Sequence, residues 1–337
     1  MEVRDFLSLK RSGMPLVDVR SPKEYSHARI PDAVSIPLFD DSERAEVGTL
    51  YTHSGKVPAV QRGLELVGPK LKGFTDRALA LGSEEILVHC WRGGMRSSSL
   101  AWLFGTVGLK CHVLTGGYKA YRNYVLDTFT REYDLCVVGG CTGSGKTDLL
   151  KELRIRGGQV LDLEQLANHK GSAFGSLGED PQPSVEMFEN MLSEVLDAFD
   201  PAFPVFVEDE SRNVGKVVVP QGLWEQMKKA RMIIVQTDRD IRMDRIMRDY
   251  ACYPPEEIAG SILKIEKRMG RERCREAYGL CLGGDVRAAA ELCLEYYDRL
   301  YLSQLEKRRM ECAGYDTMHA GTMDMGEMAD RLMEQFR

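Results

Sequence analysis

Two short stretches carry residue types at spacings suited to anion chemistry. The first is His89-Cys-Trp-Arg-Gly-Gly-Met-Arg-Ser-Ser-Ser99, which follows the apolar run Ile86-Leu87-Val88 and leads into Leu100-Ala-Trp-Leu-Phe104. This pattern predicts a strand, a tight loop and a helix, with Cys90 as the first loop residue. Such a loop aims backbone N–H groups and a helix N-terminus at one point, which favours an anion there. The same field stabilises a thiolate, so Cys90 is expected to titrate below an ordinary thiol and to be nucleophilic. Five residues separate it from Arg96. Trp91, Arg92, Gly93, Gly94 and Met95 are expected to bend around a tetrahedral anion while Arg96 clasps its oxygens. Gly93 and Gly94 are expected to supply positive φ values.

The second stretch is Gly140-Cys-Thr-Gly-Ser-Gly-Lys-Thr147, which matches G-x4-G-K-[ST] after an apolar strand and before a helix expected to begin near Asp148. Backbone amides from Gly143, Ser144, Gly145, Lys146 and Thr147 would cradle a di- or triphosphate. Lys146 would sit on the outer phosphate and the Thr147 hydroxyl on Mg²⁺. The loop reads phosphates rather than bases, so nothing in it assigns ATP or GTP. Val205-Phe-Val-Glu-Asp-Glu210 is a matching strand that ends in three carboxylates. Asp209 is the choice for an outer-sphere magnesium partner, with Glu208 nearly as good. Asp162 closes another strand at the carboxyl edge, where ligands lie in open α/β sheets, or else caps a helix.

The elements around these motifs fall into two successive α/β patterns. The first has strands expected at 16–19, 33–36, 86–89 and 111–114, then a glycine turn into a helix ending near Leu126. The second has strands at 135–138, 159–163, 204–208 and 232–236. Strands separated by helix-length segments predict parallel sheets covered on both faces. Residues 1–127 form the first expected domain, 128–134 a linker, and 135–337 the second domain. The last hundred residues read as largely helical, with near-helical apolar spacing over 288–310.

Composition narrows the class. The chain has 337 residues, 43% hydrophobic and 28% charged, with a net charge of −6. That balance carries no global nucleic-acid footprint, so any RNA contact needs a local patch. Arg239, Arg242, Arg245 and Arg248 recur along one helical face, and Lys264, Lys267, Arg268, Arg271, Arg273 and Arg275 form a second basic run. Each is either a phosphate-binding stripe or a solvated helix face. Nine cysteines without a CxxC pair fit reduced thiols in the cytoplasm. Six scattered histidines suggest no permanent metal site. No apolar run approaches the ~20 residues of a membrane span.

The segment Leu16 to Leu38 resembles the rhodanese family. Asp18-Val-Arg20, Glu24-Tyr25, Ile30-Pro-Asp-Ala33 and Pro37-Leu38 fall in that family's order. The resemblance implies a rhodanese-like parallel-sheet domain with Cys90 forming a persulfide or perselenide. Asp18 and Arg20 themselves read as a structural ion pair. Cys90 and Arg96 also satisfy His-Cys-x5-Arg-Ser, the signature of cysteine-dependent phosphatases.

Taken whole, the chain resembles the bacterial tRNA 2-selenouridine synthase family. The match lies in the cysteine loop, the P-loop, Asp162 through Gly175, Gln182-Pro-Ser184, Phe188-Glu-Asn190 and Glu208 through Gly215. The resemblance implies a rhodanese-like domain followed by a P-loop NTPase-like α/β domain with a helical C-terminal part. It implies conversion of wobble 2-thiouridine in tRNA to 2-selenouridine with selenophosphate, through S-geranyl-2-thiouridine formed from geranyl diphosphate. A selenophosphate supplier would be a partner, and no membrane is involved. The matched segments add substrate contacts at His169, Ser172 and Arg212, and at Gly63, which is otherwise a helix-packing glycine. Trp91 is either a stacking platform for a flipped base or a core aromatic.

Two other readings follow from the residues. One is a cysteine phosphatase fused to an NTPase, for which Asp40 or Asp41 would be the general acid. The other is a nucleotide-binding sensor with a non-catalytic rhodanese module.

Overall fold

The computed structural model describes residues 1–320 and 323–336, and the chain divides into two compact units. Unit one comprises Met1–Thr128 with Glu189–Glu194, and unit two Phe129–Phe188 with Val195–Arg337. No helix among the described residues is long and apolar enough to cross a membrane.

Unit one holds a four-stranded parallel sheet of β1 (Leu16–Asp18), β2 (Val34–Ser35), β3 (Glu85–His89) and β4 (Lys110–Val113), in the order β2-β1-β3-β4. Val17, Leu87 and Val88 are fully buried, as expected for strands covered on both faces. The chain order reverses direction between β1 and β3, so the loop after β3 leaves the sheet at a switch point, where α/β sheets bind ligands. Only Val34 and Ser35 of the expected 33–36 strand pair with β1.

Local chemistry sets the flanking helices. Ser21 and Glu24 form a capping box at the start of Pro22–His27, with proline in the first turn, where its missing N–H costs nothing. Asp40 and Glu43 do the same for Asp41–His53. Helix Met95–Thr106 buries Ser97, Leu100 and Phe104 on one face.

Unit two is built on a five-stranded parallel sheet: β5 (Leu135–Gly139), β6 (Gln159–Leu161), β7 (Val205–Glu208), β10 (Arg231–Gln236) and β11 (Tyr315–His319), ordered β11-β10-β5-β7-β6. A small antiparallel hairpin joins β8 (Asn213–Val214) to β9 (Val217–Val218). β5 lies between β7 and β10, which puts the P-loop at this sheet's switch point. Helices Pro255–Leu263, Arg271–Leu282 and the 26-residue Val286–Glu311 form a separate apolar core.

Several expectations need correction. The strand expected at 159–163 stops at Leu161, because Asp162 turns the chain and accepts the Gln165 N–H as a helix cap. The P-loop helix begins at Lys146 rather than near Asp148. Residues of the expected 128–134 linker are held in place. Thr128 ends a helix, Phe129 is buried, and Gln226 bonds the backbone at Arg131 and Tyr133. Strand β11 was not anticipated. It is an edge strand with only Met318 buried, so it lacks the apolar pattern by which strands are recognised.

Candidate active site

The Cys90 loop in unit one is pinned from behind by the turn after β4. Tyr118 N–H donates to Cys90 O at 2.8 Å and Lys119 N–H to Trp91 O at 2.9 Å. Gly93 has φ +63°, and a Cβ there would lie 2.5 Å from Leu114 O. Gly117 is equally constrained, since a Cβ on it would stand 2.4 Å from Cys90 O. Gly94 departs from expectation: its φ is −103° and it serves as the extended N-cap of Met95–Thr106.

Cys90 is 3% exposed, with Sγ 3.2 Å from Ser97 Oγ. Burial pushes the thiol up, but the Ser97 hydroxyl and the backbone N–H groups of Ser97, Arg92 and Gly94 outweigh it and hold the group below its ordinary value. With Cys90 as thiolate, the Ser97 hydroxyl is the donor. The sulfur therefore sits at the floor of an N–H cradle, rimmed by the exposed side chains of Trp91, Arg92 and Met95. Trp91 is 37% exposed, with its ring centroid 5.7 Å from that of Tyr118. It is not a core aromatic.

Arg96 was expected to clasp the anion. Its guanidinium is bonded to Glu24, Nη1 to Oε2 at 2.8 Å and Nη2 to Oε1 at 3.5 Å. Arg96 has five N–H donors in all, and the pair fixes how the remainder are presented. Asp18 and Arg20 form a fully buried ion pair with Nη2 to Oδ2 at 2.6 Å, and Arg20 lies 3.8 Å over the Tyr118 ring. They are structural, as expected. Neither proposed phosphatase acid is suited to the task. Asp40 accepts the Glu43 N–H and Ser42 hydroxyl, which hold it below the carboxylate range, and Asp41 accepts the Lys23 N–H. A general acid needs the opposite shift to that of Asp40. Gly63 lies inside helix Lys56–Val67 with its Cβ position 3.3 Å from the Phe39 ring, a packing role.

The P-loop of unit two has its carbonyls tied outward. Arg242 Nε donates to Thr142 O at 2.8 Å, and Arg245 Nη1 and Thr237 Oγ1 donate to Ser144 O at 2.8 and 2.7 Å. Lys146 Nζ donates to Gly140 O at 2.8 Å. Gly140, Gly143 and Gly145 take positive φ, which only glycine adopts freely. The Ser144 N–H donates to Cys141 O at 3.0 Å, so it is the amides opening helix Lys146–Ile155 that are placed to face a phosphate. Two members of the first arginine stripe are thus parts of the P-loop scaffold. Arg242 is also paired with Asp298, Arg239 with Glu295, and Arg248 with Asp249. In the second run, Lys264, Lys267, Arg268, Arg271 and Arg275 are exposed.

The carboxylates divide their work differently from the expectation. Asp209 accepts from Arg308 Nη1 at 2.6 Å and Tyr301 OH at 3.4 Å, and Tyr301 OH also accepts the Gly140 N–H at 2.6 Å. Asp209 therefore braces the P-loop instead of being the free member of the set. Glu208 is buried, with Oε1 accepting the Glu164 N–H at 2.7 Å and Oε2 without a partner. Burial raises Glu208 well above its ordinary value, and nearby Asp162 adds to this. Glu210 is raised likewise by burial and by Glu164, with which it shares a hydrogen bond. Asp162 is the cap already described. Glu164, Tyr301 and Arg308 escaped the sequence reading, while Glu24, Ser97 and Glu210 stood in its motifs without an assigned role.

His169 packs against Gly175, where a Cβ would lie 2.8 Å from its ring, and its Nδ1 is buried without a partner. Ser172 accepts the Phe174 N–H and lines a cleft with Thr142 of the P-loop. Arg212 is exposed, and its carbonyl accepts the Val219 N–H to close the β8–β9 hairpin.

A parallel α/β unit with a thiolate-stabilising cysteine loop, followed in the same chain by a P-loop unit, defines a two-part rhodanese and P-loop protein. Residues 2–124 match the rhodanese-like domain family, and residues 133–327 match the tRNA 2-selenouridine synthase AAA domain family. The chain is 34% identical to the tRNA 2-selenouridine synthase of Cupriavidus pinatubonensis, over 90% of this chain and 92% of that one. It is also 34% identical to those of Pseudomonas fluorescens, over 93% and 95%, and Bdellovibrio bacteriovorus, over 90% and 92%. The chain belongs to the tRNA 2-selenouridine synthase family, a family of tRNA-modifying enzymes.

Proposed function

We propose that this enzyme converts wobble 2-thiouridine in tRNA to 2-selenouridine, in the cytoplasm, with selenophosphate delivered by a supplier enzyme as the selenium donor. In the first step the thiocarbonyl sulfur attacks C1 of geranyl diphosphate. A C–S bond forms, the C–O bond to pyrophosphate breaks, and the N3 proton is lost. In the second step the selenium of selenophosphate adds at C2 and geranyl thiolate leaves. Water then cleaves the Se–P bond to release phosphate and 2-selenouridine. Alkylation comes first because sulfide is a poor leaving group and a thioether sulfur a better one.

The residues divide along these two anions. The cradle of Arg92, Gly94 and Ser97 N–H groups around Cys90 suits selenophosphate, with Arg96 on its oxygens. Cys90, at the floor of the cradle, fixes that donor. The P-loop suits the diphosphate, with Lys146 stabilising the charge on departing pyrophosphate. Thr147 and Glu208, whose Oε2 is buried without a partner, fit the shell of a diphosphate-bound Mg²⁺, which would neutralise charge on the leaving group. Asp209 is committed to Arg308.

The single observation that carries this reading is the thiolate-stabilising contact between Cys90 and Ser97 in a chain of this family. The test is mass spectrometry of tRNA nucleosides from a deletion strain. Wild-type chain should restore 2-selenouridine and Cys90→Ser should not. Lys146→Ala should lose S-geranyl-2-thiouridine as well, and geranylation that survived it would sink the assignment of the P-loop.

A further inference from the structure

Residues 86–126 contain no Asp or Glu and five Lys or Arg, in a chain of 337 residues with 51 Asp and Glu. That stretch holds the Cys90 loop and helix Met95–Thr106, so this part of unit one is locally basic within an acidic protein. Three of its cations are paired: Arg96 with Glu24, Lys110 with Glu85 and Arg122 with Glu189. Arg92 and Lys119 are exposed and form no ion pair among the described residues. The Lys119 N–H donates to Trp91 O at 2.9 Å, so these two cations flank the exposed Trp91. Helix Met95–Thr106 buries Ser97, Leu100 and Phe104, and its outer face exposes Met95, Ser98, Ser99 and Trp102. Trp102 is 71% exposed, so its ring contributes little to the core. Two of the chain's three tryptophans thus stand on one basic surface. Aromatic rings interleaved with cations are what a single strand of nucleic acid needs, bases on the rings and phosphates on the charges. A protein partner would favour a continuous apolar patch, whereas here Ser98 and Ser99 separate Met95 from Trp102.

We propose that the exposed face of Met95–Thr106 is a track for the single-stranded anticodon loop, on which Trp102 stacks a neighbour of the base presented to Cys90. The inference rests on the reading of tRNA as the substrate, and it adds a grip on nucleotides that do not react. Spacing sets which neighbour it is. Seven helical residues separate Met95, at the rim of the cradle, from Trp102, a rise of about 10 Å. A strand stacked at about 3.4 Å per nucleotide covers that rise in about three nucleotides, and a more extended one in about two. Arg92 and Lys119 lie at the cradle end of the track, where they meet the phosphates on either side of the reacting nucleotide. Every base has a π-face, so the contact adds affinity while leaving the loop's sequence unread.

Binding of a fluorescently labelled anticodon stem-loop RNA, with 2-thiouridine at the wobble position, to the full-length protein tests it. Trp102→Ala should weaken binding about five- to a hundredfold, and Trp102→Phe should recover most of the loss. Melting of both variants without RNA should match wild type, because the ring is exposed. The log–log salt slope should stay the same in Trp102→Ala, since a stacked base displaces no counterion. Arg92→Ala and Lys119→Ala should each flatten it by about 0.7. RNAs lacking one base locate the contact. An abasic nucleotide two or three positions from the wobble base should cost wild type about as much as Trp102→Ala does, and should cost the variant nothing further. Equal losses in the two proteins at every position overturn the stacking site. A Trp102→Ala variant that binds as tightly as wild type does the same, and it leaves the tRNA reading standing if wild type still forms 2-selenouridine. Failure of wild type to bind this RNA at all overturns that reading together with the site.

Discussion

Arg96 donates through Nη1 to Glu24 Oε2 at 2.8 Å, tying the helix behind the cysteine loop to the N-terminal turn of Pro22–His27. Glu24 does two jobs, because Oε2 also accepts the Ser21 N–H at 3.0 Å. Burial works against its ionisation, and Arg96 with the Ser21 N–H overcomes this, so it titrates below the usual glutamate value. Glu24→Gln preserves the capping box and removes the charge. It should cost about 0.5–1 kcal/mol at neutral pH, while 2-selenouridine formation falls about tenfold because Arg96 loses its anchor. A lowered folded pKa gives stability above the unfolded value and loses it as pH falls through the folded one, so the stability difference should vanish in acid. Urea melts at pH 7 and pH 3 with parallel turnover assays check this, and unchanged turnover would remove Arg96 positioning from the mechanism.

Ser97 Oγ, 3.2 Å from Cys90 Sγ, is the side chain that lowers the thiol below its ordinary value. Wild-type protein should be alkylated by iodoacetamide with a pH midpoint below the ordinary thiol value of 9.0. Ser97→Ala should move that midpoint up by about 1–2 pH units, the worth of one hydrogen bond to a charged group. A midpoint that stays put would mean that the backbone N–H groups alone set the thiol.

Glu210 is raised by burial and by Glu164, so its protonated form is the one the fold favours. A raised folded pKa contributes stability below the ordinary value of 4.5, and that stability is lost as pH rises through the folded value. Glu210→Gln imitates the protonated acid. The variant should melt with wild type below pH 4.5 and increasingly above it as the pH rises. A melting difference that does not depend on pH would count against this assignment.

The two basic runs should separate in binding experiments. Arg245 braces Ser144 O, so Arg245→Ala should weaken pyrophosphate binding and leave the salt dependence of tRNA binding unchanged. Neutralising Lys267, Arg268, Arg271 and Arg275, all exposed, should flatten the log–log salt slope by about 0.7–0.9 for each tRNA phosphate that is no longer neutralised. An unchanged slope would assign this run to solvent.

Both anion loops were legible because each is a contiguous strand–loop–helix motif. Cys90 with Arg96, and Gly140 through Thr147, lie within a few residues of one another, and their glycines and flanking apolar runs are local signals. The helix-cap reading of Asp162 was equally local. The arginines of residues 239–248 misled because a helical repeat of charge looks alike whether it faces solvent or a loop's carbonyls. Asp209 misled for a related reason. Its partner Arg308 lies 99 residues away, and no local pattern joins them.

The sequence by itself determined the order of the two α/β units, the parallel sheets, and the two glycine loops that lead from a strand into a helix N-terminus. These follow from hydrophobic spacing and from backbone conformations that glycine alone tolerates. The tertiary structure decided the electrostatics: which carboxylates burial raises, which arginines are paired, and that the Ser97 hydroxyl lies against the Cys90 sulfur. It also made an apolar cleft beside the P-loop from helices more than a hundred residues further along the chain. Burial and pairing of charge depend on what packs against a group, and for these groups the neighbours come from distant segments.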